Sequence, residues 1–193
     1  GTWGYRRRAR LSVRLVPKKG KTLVGFRERD PRFVADLVHC DVLDPALGDK
    51  LDALGALLND MQGAASIPQI EFSAGDAARV LVFRHLAPLP DDDKRQLAAF
   101  GRAHGFAILL QPGGTDSVHP LDGQAVDLHY ALPDFGLKLA FAPLDFVQVN
   151  ARINQKMIEH ALALLQPGPG DRVLDLFCGL GNFTLPIARR AAH

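Results

Sequence analysis

Acidic residues are nearly missing from the first 32 positions of this chain. Glu28 and Asp30 stand there against Arg6, Arg7, Arg8, Arg10, Arg14, Lys18, Lys19, Lys21, Arg27, Arg29 and Arg32. The 193 residues together carry a net charge of only +2, so the positive charge is local rather than general. Such asymmetry points to a polyanionic partner more strongly than the total does. Cysteine is scarce too: Cys40 and Cys178 lie far apart in dissimilar settings. That argues against a disulfide framework and makes a reducing, cytoplasmic location the expectation. No apolar run reaches membrane-spanning length, the start carries no signal-peptide pattern, and no repeat or low-complexity segment is present, so no membrane association is expected.

What is present is ordinary globular material, 47% hydrophobic and 23% charged, enough for one domain or one and part of another. Both ends read as cut. Residues 5–16 alternate, with Ala9, Leu11, Val13 and Leu15 on one side of a strand and Arg6, Arg8, Arg10, Ser12 and Arg14 on the other. The turn "PKKGKT" then leads into "LVGFRE", which predicts an antiparallel hairpin, and "FVADLV" predicts a third extended run ending at His39 and Cys40. Pro45 opens a predicted helix with Leu47, Leu51, Leu54, Leu58 and Met61 on one face. "IEF" and "RVLVFRHL" read as strands, the second apolar on both faces and therefore central. A helix from about Asp91, the strand "FAILLQ", the loop "PGGTDS" and the runs "AVDLHYAL" and "LKLAFAP" follow. Residues 1–144 are thus expected to form a central α+β domain with a mixed, largely antiparallel sheet.

Residues 145–193 have a different style. "DFVQVN" leads to Asn150, a good N-cap for a helix whose Ile153, Met157, Ala161, Leu164 and Leu165 share a stripe. "RVLDLF", residues 172–177, is apolar on both faces, the mark of a buried parallel strand. A glycine turn and a helix from Asn182 come next. Helix, strand, glycine turn, helix is the first unit of a Rossmann-like, doubly wound α/β domain, truncated here before its second unit. Asp175 closes the strand, while Gly179 and Gly181 permit a tight turn and a close approach of ligand to the main chain. A dinucleotide site would want a small residue where this chain has Thr184, which favours S-adenosylmethionine over NAD. The bland alternative is an ordinary strand-to-helix turn.

"DFVQVNARINQKMIEHAL" followed by "RVLDLFCGLGNFTLPIA" resembles the RNA uracil-C5 methyltransferases, within them most closely the bacterial 23S rRNA branch. "WGYRRRARL", "GFRE" and "RHLAPL" resemble the central domain of the same enzymes, so the likeness covers essentially the whole chain. It implies a class I S-adenosylmethionine-dependent domain with cofactor contacts at Gln148, Phe177 and Asn182, and with Asp175, Gly179 and Gly181 in the same motif. It also implies a [4Fe–4S] cluster held by four cysteines. "LVHCDVLDP" is similar to the fourth of those sites, making Cys40 a metal ligand, although His39 and Asp41 replace the usual neighbours. The other three ligands are not in this chain, so no cluster is expected in it. Cys178 reads as packing.

The reaction implied is covalent catalysis. A cysteine thiolate adds to uracil C6, C5 attacks the methyl group, and a glutamate removes the C5 proton. In the family both residues lie downstream of the first glycine motif, so no catalytic residue is expected here and these 193 residues alone are expected to be inactive. The expected partner is 23S rRNA, met by Arg6, Arg8, Arg10 and Arg14 unless that face is simply solvated. A tRNA uracil-C5 or other class I RNA methyltransferase, or a non-catalytic RNA-binding module, are the other readings. With apolar side chains on both faces of its strand, residues 146–193 are further expected to self-associate or to belong to a longer chain.

Overall fold

The structure, a computed structural model, describes residues 2–191. Strands β1 (Arg8–Val16) and β2 (Lys21–Gly25) form the predicted hairpin, with Val13 opposite Val24 and Gly20 supplying the left-handed turn residue at φ 58°. Helices α1 (Pro45–Gly48) and α2 (Leu51–Asp60) precede β3 (Gln69–Ala74) and β4 (Arg79–Arg84). Next come α3 (Asp91–His104), β5 (Ala107–Gln111) and the short β6 (His119–Pro120). The strands build one sheet in the order β2-β1-β3-β4-β5-β6, antiparallel throughout except for the parallel β4–β5 pair joined by the α3 crossover. The expectation of a mixed, largely antiparallel sheet holds. A second hairpin, β7 (His129–Leu132) with β8 (Leu137–Ala140), is followed by α4 (Ala151–Leu165) and α5 (Thr184–Ala188).

Period-two alternation in β4 feeds two cores, as its apolar run on both faces requires. Leu81 and Phe83 join Leu11, Phe72, Leu54, Leu58 and Leu97 on the side covered by α2 and α3. Val80 and Val82 join Leu109, Tyr130, Leu139, Ile158 and Leu162 on the other side, so the second hairpin and α4 pack against the back of the central sheet.

Four local expectations are corrected. "FVADLV" makes no strand, only a single bridge between Arg27 and Val34. The helix opened by Pro45 breaks at Asp49 and Lys50, because Gly48 backs onto the preceding loop: its carbonyl accepts from Cys40 N at 3.1 Å, and a Cβ there would lie 2.5 Å from Cys40 O. Asn150 caps α4 as expected, its Oδ1 accepting from Ile153 N at 3.0 Å. The buried face, however, is Asn154, Ile158 and Leu162, and the stripe through Ile153, Met157, Leu164 and Leu165 faces outward. Residues 172–177 form no strand, and Leu174 and Leu176 are 80% and 69% exposed. A parallel strand takes its hydrogen bonds from strands beside it, and none runs alongside among the described residues. Residues 192 and 193, the end of the segment expected to self-associate, lie outside the described residues.

Candidate functional site

The segment before α4, the end of β7 and the glycine turn enclose a cavity of about 340 Å³. Gln148, Phe177, Gly179 and Asn182 all line it, together with Tyr130, Asp145, Phe146, Cys178 and Leu180. Gly179 and Gly181 adopt φ of 56° and 83°, and a Cβ on Gly181 would sit 2.9 Å from Leu185 Cγ. Both glycines are therefore needed for the turn. Phe177 is itself left-handed at φ 62°, an uncommon conformation for an aromatic residue, and its side chain is fully exposed at the cavity mouth rather than in a core. Cys178 also lies exposed in the wall, so the expectation that it packs is corrected.

Asn182 is held from two directions. Its Oδ1 accepts from Tyr130 Oη at 3.0 Å and from Asn154 Nδ2 at 2.8 Å, and its own Nδ2 donates to Asn154 Oδ1 at 2.8 Å. Tyr130 in turn lies under the Arg7 guanidinium, 4.7 Å from ring centroid to Cζ. Arg7 Nε donates to Gln148 O at 2.9 Å. Burial pulls the Arg7 pKa below its usual value and pushes the Tyr130 phenol up, with Arg7 opposing the latter. Both groups nonetheless keep their protons at neutral pH. Asp175 stands behind the cavity wall, where its Oδ2 accepts from Thr184 Oγ1 at 2.6 Å and ties the two ends of the glycine turn together.

A second cavity, about 470 Å³, shares Phe146 and Val147 with the first and is lined by Arg6, Arg8 and Arg10. Its charge is not free of acid. Glu71, opposite Arg10 in the β1–β3 register and buried, lies 2.6 Å from Arg10 Nε and 3.6 Å from Arg8 Nη2. Arg8 also donates to the carbonyls of Pro143 at 2.6 Å and Leu144 at 2.8 Å. It is a structural clamp on the segment that carries Phe146 and Gln148. Arg10 is 67% exposed and remains available. Arg14 lies outside this group, where it donates to the Arg32 carbonyl.

Residues 81–193 match the family described as tRNA (uracil-5-)-methyltransferase. The chain belongs to this family. It is 61% identical over 189 residues to 23S rRNA (uracil(1939)-C(5))-methyltransferase RlmD of Stenotrophomonas maltophilia strain K279a, covering 98% of this chain and 43% of that protein. It is 63% identical over 188 residues to the protein of the same name from Xanthomonas campestris pv. campestris strain 8004, covering 97% and 42%. The chain thus spans less than half the length of these relatives. In fold it is similar to Pyrococcus abyssi tRNA (uracil-54, C5)-methyltransferase in complex with S-adenosyl-L-homocysteine, with a TM-score of 0.66, 15% identity, and coverage of 98% of this chain and 47% of that one.

Cys40 is half-buried and forms no disulfide among the described residues, and its amide donates to Gly48 O. Among the described residues no three His, Cys, Asp or Glu side chains are grouped to hold a metal. One thiol does not fit a [4Fe–4S] cluster, which needs four ligands. Sequence reasoning missed Arg7, Tyr130 and Asn154. Asn154 carried a usable signal, as a polar residue spaced four and eight positions before Ile158 and Leu162 on one helical face.

Proposed function

We propose that this chain is part of an enzyme that transfers a methyl group from S-adenosylmethionine to C5 of a uridine in 23S rRNA. The convergence of Gln148, Phe177 and Asn182 on one cavity carries the proposal, because these come from two motifs some thirty positions apart and meet beside a glycine turn. The cavity lies in the size range of small-molecule sites, and its mixture of an exposed aromatic with convergent amides suits a ligand that is partly apolar and partly zwitterionic. In this reading residues 145–193 open a Rossmann-like class I methyltransferase domain after a central domain at residues 1–144. The names of the two RlmD relatives support rRNA as the substrate. A cytoplasmic location follows from that substrate, and no described helix is long and apolar enough to cross a membrane.

S-adenosylmethionine supplies an electrophilic methyl group when bound. The residues here hold and orient. Gln148 offers an amide edge, Asn182 an amide N–H, and Gly179 exposed main chain. Asp175 keeps the turn closed through Thr184. The Arg6–Arg8–Arg10 groove shares a wall with the cavity, which suits an RNA strand running past the methyl donor. Arg14 serves at most as an outlying phosphate contact. Cys40 would be one of four [4Fe–4S] ligands in the full-length protein only as the family resemblance implies, and no step of the reaction runs through it.

Calorimetry on the full-length protein tests the reading, alongside tritium release from rRNA labelled at uracil C5. Wild type should bind S-adenosylmethionine, and Gln148→Ala should bind at least tenfold more weakly with parallel loss of tritium release. Equal binding by the two proteins would overturn the site. Release from tRNA but not from rRNA would move the enzyme to its tRNA-modifying relatives.

A further inference from the structure

We infer that Arg7 is a positioning residue for the proposed cofactor site, fixing Gln148 through its carbonyl and Asn182 through Tyr130. This rests on the cofactor reading of the cavity. Arg7 immediately precedes β1, and along an extended segment successive side chains point to opposite sides. Arg8 accordingly turns toward the basic groove, while Arg7 turns the other way and is only 7% exposed. Its backbone N–H donates to Val149 O at 3.0 Å and its Nε to Gln148 O at 2.9 Å, so Arg7 holds two successive peptide carbonyls, those of Gln148 and Val149.

The second arm decides how the Asn182 amide points. An asparagine offers two acceptor lone pairs on its oxygen and two N–H donors on its nitrogen. Tyr130 Oη and Asn154 Nδ2 take both lone pairs, and Asn154 Oδ1 takes one N–H. The remaining N–H is the group left to meet a ligand. The pairing with Asn154 alone does not select this orientation, since flipping both amides would preserve it. Tyr130 breaks the tie when it acts as donor, and a cation over its ring favours that role by drawing electron density from the phenol.

Packing alone does not explain Arg7. Its Nη2 is buried without a hydrogen-bond partner among the described residues, a cost that a methionine or leucine in the same space would not carry. Lysine could not replace it either, because stacking on Tyr130 while donating in the guanidinium plane needs a planar group.

The test compares Tyr130→Phe, Arg7→Lys, Arg7→Met and the Arg7→Met/Tyr130→Phe double variant in the full-length protein, with Gln148→Ala as the control on the site itself. Tyr130→Phe keeps the ring and its packing, so its melting temperature should stay close to wild type. Its S-adenosylmethionine Kd should rise about fivefold to tenfold while the KM for RNA stays unchanged. Arg7→Lys should do the same. The double variant should lose less than the product of its single losses, because part of the Arg7 effect runs through Tyr130. Tyr130→Phe and Arg7→Lys binding within twofold of wild type, with Gln148→Ala still impaired, would overturn the role of Arg7 and leave the site standing. Gln148→Ala binding as wild type would remove the site and this role together. If Arg7→Met fails to fold, Tyr130→Phe decides.

Discussion

Asn154 and Asn182 face each other through two amide hydrogen bonds, Nδ2 to Oδ1 in each direction and 2.8 Å long. One residue lies on the buried face of α4 and the other in the glycine turn, so this pair docks the turn onto the helix. Asn154 is only 2% exposed, which leaves water no easy way to replace its partner. Asn154→Ala should therefore destabilise this region by about 1–3 kcal/mol. Amide exchange over residues 178–188 should speed up while the central sheet stays protected. Unchanged exchange in the turn would show that the pair does not hold it.

The bond between Thr184 Oγ1 and Asp175 Oδ2, at 2.6 Å, closes the same turn from outside the cavity. Thr184→Val keeps the shape and removes the donor. The expected loss is about 1 kcal/mol, since Asp175 is partly exposed and can turn to water. Thermal denaturation of Thr184→Val beside Thr184→Ser measures it, and the serine variant should retain most of the stability.

Arg8 and Arg10 should behave differently although they sit two positions apart. Arg8 is committed to Pro143, Leu144 and Glu71, with its side chain 15% exposed, so Arg8→Glu should cost stability of about 3 kcal/mol. Arg10→Glu should also lower the melting temperature, because it removes the 2.6 Å partner of buried Glu71 and sets a second carboxylate beside it. It should weaken RNA binding alike across sequences and lower the salt slope by about one unit per lost phosphate contact. Equal RNA binding by wild type and Arg10→Glu would show that the exposed guanidinium is merely solvated.

Burial raises the Tyr130 pKa, so the folded protein holds this proton more tightly than the unfolded chain does. By linkage, the stability it contributes is complete below the ordinary phenol pKa of about 10 and declines as pH rises through the folded value. An alkaline titration followed by phenolate absorbance should show a late transition that Tyr130→Phe removes. No difference between the two titrations would mean that the ring is more solvated than its packing indicates.

Ile153, Leu164, Leu174, Leu176 and Phe177 are large apolar side chains left exposed. We expect the 193-residue polypeptide on its own to self-associate through residues 146–193, with scattering mass that grows with concentration, and to bind S-adenosylmethionine poorly. Leu174→Ser with Leu176→Ser should reduce the association. A monomer at high micromolar concentration would count against it.

Legibility differed by region for physical reasons. The hairpin at β1 and β2, the central position of β4 and the start of α3 at Asp91 could be read directly, because alternation, an apolar run on both faces and a cluster of acids are local signals. The convergence of Gln148, Phe177 and Asn182 was also foreseeable, since two specific motifs carried it. The face buried by α4 was not. Both Ile153–Met157–Leu164 and Asn154–Ile158–Leu162 fit a helical period, and the choice fell to the surface that the second core offers. An asparagine is scored as polar by any pattern, and only a partner twenty-eight positions away made Asn154 a core residue.

The amino-acid sequence by itself determined strands β1 to β5 of the central sheet, the glycine turn and the family, because each depends on residues close together along the chain. Tertiary structure decided which arginine stays exposed and which is a clamp, through Glu71 on the neighbouring strand and the carbonyls of Pro143 and Leu144. It likewise decided that residues 172–177 stay unpaired, since an apolar run becomes a strand only where another strand lies beside it to take its hydrogen bonds.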